Sequence, residues 1–528
     1  MPVWPKSFHV FGATVQAART ARRWRSKNSA APEQERAFAE LARRLGATTF
    51  WRAAGIEPAM DYETFRRRVA PRTYEQLSPA IEQMKRGAAD VLWPGRCAFF
   101  ASTAGTTEGR AKHLPVTEEL LAHFQHAGTA ALLYYVARTG SRGVYRGRHL
   151  ALGGATALLP LPEAHPQRAF ATTLNGVFAA SQPAWEEKHL REPGAKIAEM
   201  TNWSAKLIAL VEHTSRLDLS LVTGLPAWVL GFAEELCKKN SAGPRPVRQL
   251  VELWPQLEVF MHRGTPLAPF QPELRAVLGE RVAFHEIYAA AEGCFAAQDT
   301  AAADLRLMAD TNLFFEFLPM TDFDPTRLEQ LGPRAVPLAG VKAGVDYALL
   351  LTSPGGLARY LVGDIVRFTS AEPPRLKYVG RTRLRLDAFG ERVNEKDLTD
   401  ALVAVCARYD WTIVNFHVAP IFAPSHTAQK RGRHEWWVEL RPGTVATPTG
   451  PQMALALDAE LQQANQDYRA RRNGGGLEAP FVRLVMPGVF QHWQRYHGDL
   501  GHENKTPRCR SDRLVAEELA QITHFARD

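Results

Sequence analysis

Residues 99–115 read FFASTAGTTEGRAKHLP. Two phenylalanines lead into a run of Ser, Thr, Ala and Gly, and Lys112 follows three residues after Gly109. Such a loop can wrap a polyphosphate. Glycine lets the backbone approach closely, successive N–H groups point inward, and threonine hydroxyls add donors. It is not a Walker loop, because Gly109 is followed by Arg110, Ala111 and Lys112 rather than by Lys and Ser or Thr. Taken alone the stretch also fits an ordinary Ser/Thr/Gly turn. What decides between the two is the rest of the chain.

Two further stretches matter. EIYAAAEGCFAAQD (286–299) places Tyr288 four residues before Glu292, and LARYLVGDIVRF (357–368) places Asp364 after Gly363, behind an apolar run. An aromatic ring can stack on a purine. A carboxylate beyond a tight turn can accept two hydrogen bonds from a ribose diol, and a glutamate near a triphosphate can hold Mg²⁺, an ion that takes few protein carboxylates. Each residue also has a plain structural use: a buried tyrosine, a helix-start glutamate, a turn aspartate.

The chain has 528 residues, 45% of them hydrophobic and 23% charged, which suits a globular protein of two domains. Its net charge is +9, from 64 basic and 55 acidic residues. Lys6, Arg19, Arg22, Arg23, Arg25 and Lys27 fall in the first 30 residues, which hold no acidic residue. No nucleic-acid-binding motif accompanies them, so we read a solvated basic lead-in. The five cysteines (Cys97, Cys237, Cys294, Cys406 and Cys509) form no C-x-x-C pair and imply reduced thiols in a cytoplasmic protein. No apolar run reaches the length of a spanning helix, and the first 30 residues lack the apolar core of a signal peptide. His492, His497 and His502 recur every five residues, a spacing that does not align metal ligands on a helix.

Periodicity predicts a helix over 33–48, a second in YEQLSPAIEQMKRG with Ser78 as N-cap, and a long helix after Thr117. The middle of the chain alternates helices with the short apolar strands LSLVTGLP, LEVFMHRG, VAFHEIYA, FFEFLP and DYALLLTS, an α/β pattern with more than one sheet. Beyond residue 380 the strands IVNFHVAPIF, HEWWVELR and FVRLVMPG, with helices over 394–408 and 453–471, read as a small α+β domain. Trp436 and Trp437 are expected on opposite faces of its sheet. YVGRTRLRLDAFGERVNE (378–395) is the expected hinge, near Arg383. The domains are therefore drawn as 1–380, binding ATP and the acyl group, and 381–528.

In their order, the three stretches resemble the adenylate-forming superfamily of acyl-CoA synthetases and luciferases. In detail they resemble the Gretchen Hagen, or auxin-responsive promoter, family of acyl-acid amido synthetases. AGTTEGRAKHLP is similar to that family's S-G-T-T-x-G-x-x-K-x-x-P loop, and VLWPG to its lead-in. YAAAEG is similar to Y-x-x-S-E-G, YLVGD to Y-R-x-G-D, and NKTPRC (504–509) to Y-K-x-P-R-C. TGLPAWVLGF and LWPQLEVFMHRGTP resemble the stretches before the nucleotide pocket. The resemblance runs over about residues 33 to 515.

It implies a large luciferase-like N-terminal domain, a smaller mobile C-terminal domain, and two half-reactions. ATP and a carboxylic acid form an acyl-adenylate, and an amine, typically of an amino acid, then displaces AMP. Thr103, Ala104, Gly105, Thr106, Thr107, Gly109 and Lys112 would hold the phosphates. Tyr288 would line the adenine pocket, Glu292 would bind Mg²⁺, Asp364 the ribose, and Arg381 would sit by ribose or phosphate. Lys505 would reach the α-phosphate from the small domain. The expected partners are a small carboxylic acid and an amine, with no nucleic acid and no membrane. The alternatives are an acyl-CoA ligase and a non-catalytic nucleotide-binding homologue. The chain departs from the family pattern at Ala104 and Ala291, where Ser is common, at Leu361 and Asn504, where Arg and Tyr are usual, and at Arg263, where a second Gly is usual.

Overall fold

The computed structural model describes residues 5–25, 30–103, 112–161, 169–241, 246–265, 267–321, 323–382, 384–422, 432–441, 448–496 and 506–525. The chain divides into two compact units. The first holds residues 1–266, 273–362 and 366–378, and the second holds 267–272, 363–365 and 379–528.

Two sheets organise the first unit. A twelve-stranded sheet runs in the order Val336–Pro337, Phe314–Pro319, Asp346–Ser353, Leu357–Ser370, Arg375–Arg381, Leu305–Leu307, Gly293–Ala297, Ala283–Ala290, Val259–Arg263, Leu219–Gly224, Arg148–Ala151, Arg191–Glu192. The stretch from Ala283–Ala290 to Arg191–Glu192 is parallel. Its central strands Leu219–Gly224 and Val259–Arg263 are buried along almost their whole length, as parallel strands covered by helices are. A four-stranded sheet runs Lys112–Pro115, Phe99–Thr103, Phe170–Thr172, Leu159–Pro160. The helix Glu118–Thr139 begins where the sequence places it. The Thr117 side chain accepts from the Leu120 N–H, two glutamates sit in the first turn, and Gly140 closes the helix at φ +71°, a left-handed value.

The second unit is built on a three-stranded sheet, Ile413–Phe422, Gly432–Leu440 and Phe481–Val485. Trp436 packs on one face with the helices Glu395–Tyr409 and Gly450–Ala464, and Trp437 on the other with Val489–Tyr496 and Leu514–Phe525. The alternation of a strand puts the two indoles back to back, as expected.

Two expected helices differ. The second one starts earlier, as Tyr74–Lys85. Thr73 and Gln76 form a capping box, so Ser78 is not the cap and Pro79 lies inside the helix. The helix expected over 453–471 is two helices, Gly450–Ala464 and Gln466–Asn473. Asn465 leaves helical geometry at φ −131° and its side chain caps the second by accepting from the Tyr468 N–H.

One side chain ties three distant parts of the first unit together. Arg359, on the strand Leu357–Ser370, is fully buried at φ +46°. Its Nε donates to Glu316 Oε2 (3.0 Å) and Nη2 to Glu316 Oε1 (2.9 Å). The remaining hydrogens go to the carbonyls of Arg66 (2.8 Å), Val69 (2.6 Å) and Gly332 (2.7 Å). A guanidinium has five N–H donors, so this charge is fully satisfied. The Tyr62 hydroxyl also donates to Glu316 (3.1 Å).

Arg359→Met leaves the Glu316 carboxylate buried and unpaired, and should cost about 3–5 kcal/mol in denaturant unfolding. The double variant Arg359→Met/Glu316→Leu should recover part of that loss. Acid sensitivity is a second expectation. Burial pushes His123, His149, His262 and His417 down to about 4, and His285 to about 3. The unfolded chain takes up these protons below its ordinary histidine value near 6.5, while the folded chain does not until about pH 4, so stability falls on acidification through that window. Burial pushes Glu186 and Glu286 up to about 7, which acts in the opposite direction. With five imidazoles against two carboxyls, the melting midpoint should drop between pH 6.5 and 4.5, and a flat profile would contradict this.

Candidate active site

The strands Phe99–Thr103 and Lys112–Pro115 are antiparallel, and Thr103 pairs directly with Lys112. The glycine-rich stretch therefore begins and ends on paired residues. Ala104, Gly105, Thr106, Thr107 and Gly109 lie outside the described residues. Lys112 Nζ is 3.2 Å from Glu75 Oε1 and lies over the Tyr74 ring, 4.9 Å from its centre. The Tyr74 hydroxyl accepts from the His113 N–H (3.0 Å). Tyr74 and Glu75 open the helix Tyr74–Lys85, so its capping box aims both at the strand that leaves the loop.

Glu292 sits in the turn between the antiparallel strands Ala283–Ala290 and Gly293–Ala297, rather than at a helix start. It is 8% exposed. The Tyr360 hydroxyl donates to its carboxylate. Burial, then Glu292, then Glu75 and Tyr74 hold that phenol well above its ordinary value, so it stays protonated and donating. Tyr360 is thus acted on both by Glu292 and by Glu75, the partner of Lys112. Glu292 and Tyr360 are joined by a hydrogen bond, and Lys112 is joined to Glu75 and Tyr74, whose charges act on Tyr360.

The Glu292 turn has its own anchor. His123, on the helix Glu118–Thr139, lies 2.6 Å through Nδ1 from the Thr311 carbonyl, and its Nε2 accepts from the Cys294 N–H (2.9 Å). A carbonyl only accepts and a backbone amide only donates, so the proton is on Nδ1 and the ring is neutral. A Cβ on Gly293 would come 2.8 Å from Leu313 and 3.2 Å from His123 Nε2, which explains glycine after the glutamate.

Tyr288 lies in the strand Ala283–Ala290, edge-on to Phe295 (5.0 Å) and Tyr378 (5.9 Å). In the second unit, Asp364 is 6% exposed and 3.6 Å through Oδ1 from Arg381 Nε. Gly363, at φ +92°, turns the backbone before it, and its carbonyl accepts from the Thr382 N–H (2.7 Å). Lys505 lies outside the described residues. The residues after it are tied to the strand Ile413–Phe422. Arg508 O accepts from the Val418 N–H (2.9 Å), the Arg510 N–H donates back to Val418 O (3.0 Å), and Pro507 O lies 2.6 Å from His417 Nδ1.

Among the departures from the family pattern, Leu361 and Ala291 are buried, and Ala104 and Asn504 lie outside the described residues. Leu361 packs among Leu318, Leu328, Leu331 and Leu350, and Ala291 joins the cluster holding Phe124 and Cys294. The donor set of the first unit suits a nucleotide with a hard divalent ion: a carboxylate in an oxygen-rich corner, a lysine at the loop's exit, and aromatic rings. Among the described residues no cluster of three or more metal-ligating side chains occurs, and no helix is long and apolar enough to cross a membrane. Sequence reading did not assign Tyr360, although it lies in the quoted YLVGD. It passed over His123, which carries no local signal on an apolar helix face.

The chain matches the GH3 family N-terminal domain over residues 24–157, the GH3 family central domain over 306–381, and the GH3 family C-terminal domain over 396–514. It is 24% identical to the probable indole-3-acetic acid-amido synthetase GH3.2 of Oryza sativa subsp. japonica, covering 92% of this chain and 89% of that one. It is 22% identical to the jasmonoyl–L-amino acid synthetase JAR4 of Nicotiana attenuata, covering 90% of each. Its fold matches AtGH3.15 acyl acid amido synthetase in complex with 2,4-DB, with a TM-score of 0.74 at 18% identity over 99% of this chain and 97% of that one. It also matches a 2-hydroxyisobutyryl-CoA ligase, with a TM-score of 0.55 at 13% identity over 94% and 91%. With three consecutive domain models matched in order on the α/β adenylate-forming fold, the chain belongs to the GH3 family.

Proposed function

We propose that the protein is an ATP-dependent, AMP-forming acyl-acid amido synthetase acting on a small carboxylic acid and an amino acid. The observation that carries this reading is that Tyr360 donates to Glu292 and is also acted on by Glu75, the partner of Lys112, in a chain with the family's three domains. A carboxylate is a poor electrophile. In the first step its oxygen attacks the α-phosphorus of ATP, the bond from that phosphorus to the bridging oxygen breaks, and pyrophosphate leaves. In the second, an amine nitrogen attacks the acyl carbon, loses a proton, and the carbon–oxygen bond to AMP breaks.

Catalysis then reduces to positioning the partners and neutralising charge. Thr103, Ala104, Gly105, Thr106, Thr107 and Gly109 would cradle the phosphates through backbone N–H groups. Lys112 would exchange Glu75 for a phosphate oxygen. Tyr288 would flank the adenine, while Asp364 and Arg381 would hold the ribose. Glu292, oriented by Tyr360, would ligate Mg²⁺, which when bound neutralises charge on the leaving pyrophosphate. Residues 381–528 would act as the mobile small domain carrying Lys505. Five unpaired buried cysteines support a cytoplasmic setting.

The experiment is pyrophosphate release with ATP, Mg²⁺ and a panel of carboxylic acids, with and without pooled amino acids, followed by mass spectrometry. An acid-dependent signal with a new amide supports the ligase, and a sustained CoA thioester in place of the amide overturns the acceptor. Glu292→Gln should lower acid-dependent pyrophosphate release by about 100-fold or more, and Lys505→Ala should impair acyl-adenylate formation. His123→Leu should raise the Mg²⁺ concentration needed for half-maximal rate, because it frees the turn that carries Glu292. An unchanged Mg²⁺ dependence in a folded variant would refute that role.

A further inference from the structure

The helix Lys6–Arg25 comes ahead of the stretch matched to the family's N-terminal domain, which begins at residue 24. No residue from 1 to 32 is acidic, while Lys6, Arg19, Arg22, Arg23, Arg25 and Lys27 are basic. By charge alone such a segment reads as solvated. Its packing gives it a second property.

One face of the helix is fixed to the body of the first unit. Ala17 is buried in the cluster that holds Leu132 and Tyr145, and Val10 and Ala13 pack against that cluster. The His9 ring stacks on Trp185, with 4.7 Å between centres. Lys6 Nζ donates to the carbonyls of Arg146 (2.9 Å) and Gly147 (3.3 Å). With that face held, Phe8, Phe11 and Val15 are turned to solvent. Their spacing is i, i+3, i+7, a single stripe of a helix. The two phenylalanines are 64% and 70% exposed. An exposed apolar stripe rimmed by polar residues marks an interaction surface.

Beside the stripe lies a cleft of about 530 Å³. Phe11 lines it together with Lys6, Arg142 and Arg146, and the remaining lining residues are uncharged. Arg142 and Arg146 are exposed, and neither has a carboxylate partner among the described residues. Two acids are near. Asp218 acts on Lys6, and Glu258 accepts from the Tyr135 hydroxyl (2.8 Å), but neither lines the cleft. An apolar ridge and an acid-free cationic cleft thus share Phe11 as their common edge.

We propose that this face docks on an anionic phospholipid surface. Phe8, Phe11 and Val15 enter the boundary between headgroups and acyl chains, and Arg142 and Arg146 meet headgroup phosphates. Among the described residues no helix is long and apolar enough to cross a membrane, so the helix lies on the surface. A second copy of the chain is a poorer occupant, because two-fold pairing through this face brings two cationic clefts together. A polyanion in solution would answer the cations but leave the apolar stripe in water. Docking of this kind is independent of the ligase reading.

The test is sedimentation of the full chain with two kinds of vesicle, phosphatidylcholine alone and phosphatidylcholine with phosphatidylserine. Binding to the anionic vesicles should be about 10-fold or more the stronger, and should weaken as salt is raised. Phe8→Ser/Phe11→Ser keeps every charge and should weaken that binding by about 10-fold or more. Arg142→Gln/Arg146→Gln should weaken it by about 10-fold and flatten its salt dependence. Circular dichroism checks that each variant is folded. Should the double phenylalanine variant not fold, Phe8→Ser alone decides, since Phe8 does not line the cleft. Equal binding to the two kinds of vesicle, or binding unchanged by the phenylalanine substitutions, would overturn the proposal. So would binding to polyglutamate or to a single-stranded oligonucleotide as tight as to the vesicles, which would assign the face to an acidic macromolecule instead.

Discussion

The buried Arg359–Glu316 pair is the constraint on which the first unit depends. A guanidinium and a carboxylate removed from water are costly unless every hydrogen and lone pair is answered. Here five donors meet the Glu316 carboxylate and three backbone carbonyls from residues 66, 69 and 332. The cation cannot move without breaking several contacts at once. It therefore holds the 62–72 segment, the strand Phe314–Pro319 and the turn at Gly332 to one strand. The backbone follows: the Arg72 N–H donates to Arg359 O (2.9 Å), and the Leu361 N–H donates to Arg72 O (2.8 Å).

The corner holding Glu292 is built on the next residue of that strand. Neighbouring residues of a strand point to opposite faces. Fixing Arg359 on one side therefore fixes Tyr360 on the other, where it donates to Glu292. The same short segment from residue 72 then continues into the helix that presents Tyr74 and Glu75 to Lys112. The left-handed backbone at Arg359 is strain of about 1–3 kcal/mol, which the saturated hydrogen bonding around the guanidinium offsets. Charge burial in the core and geometry at the site are thus one problem, solved by two adjacent side chains.

Much of this was legible in the chain itself. Thr117 as a cap, the apolar parallel strands, the opposed faces of Trp436 and Trp437 and the two-part organisation all follow from short-range rules of spacing and capping. The family resemblance at AGTTEGRAKHLP, YAAAEG, YLVGD and NKTPRC reached the right fold and family. The errors were local too. Ser78 before Pro79 looks like a helix start, yet Thr73 with Gln76 makes the better cap. The pattern over 453–471 continues smoothly through Asn465, where the helix breaks because that side chain caps a new one. Capping competes with periodicity, and a pattern of apolar residues does not record which wins.

The sequence by itself determined the fold class and the family, because those signals are carried by neighbours within a few positions, and it singled out Glu292, Asp364 and Lys112 only as candidates. Only the tertiary structure decided that Tyr360 orients Glu292, that His123 anchors the turn beneath it, and that Lys6 meets the carbonyl of Arg146. Each of those contacts joins residues between 68 and 171 positions apart. Hydrogen bonds act over about 3 Å of space, whatever the distance along the chain. Which donor finds which acceptor is settled only when sheets and helices have closed around them.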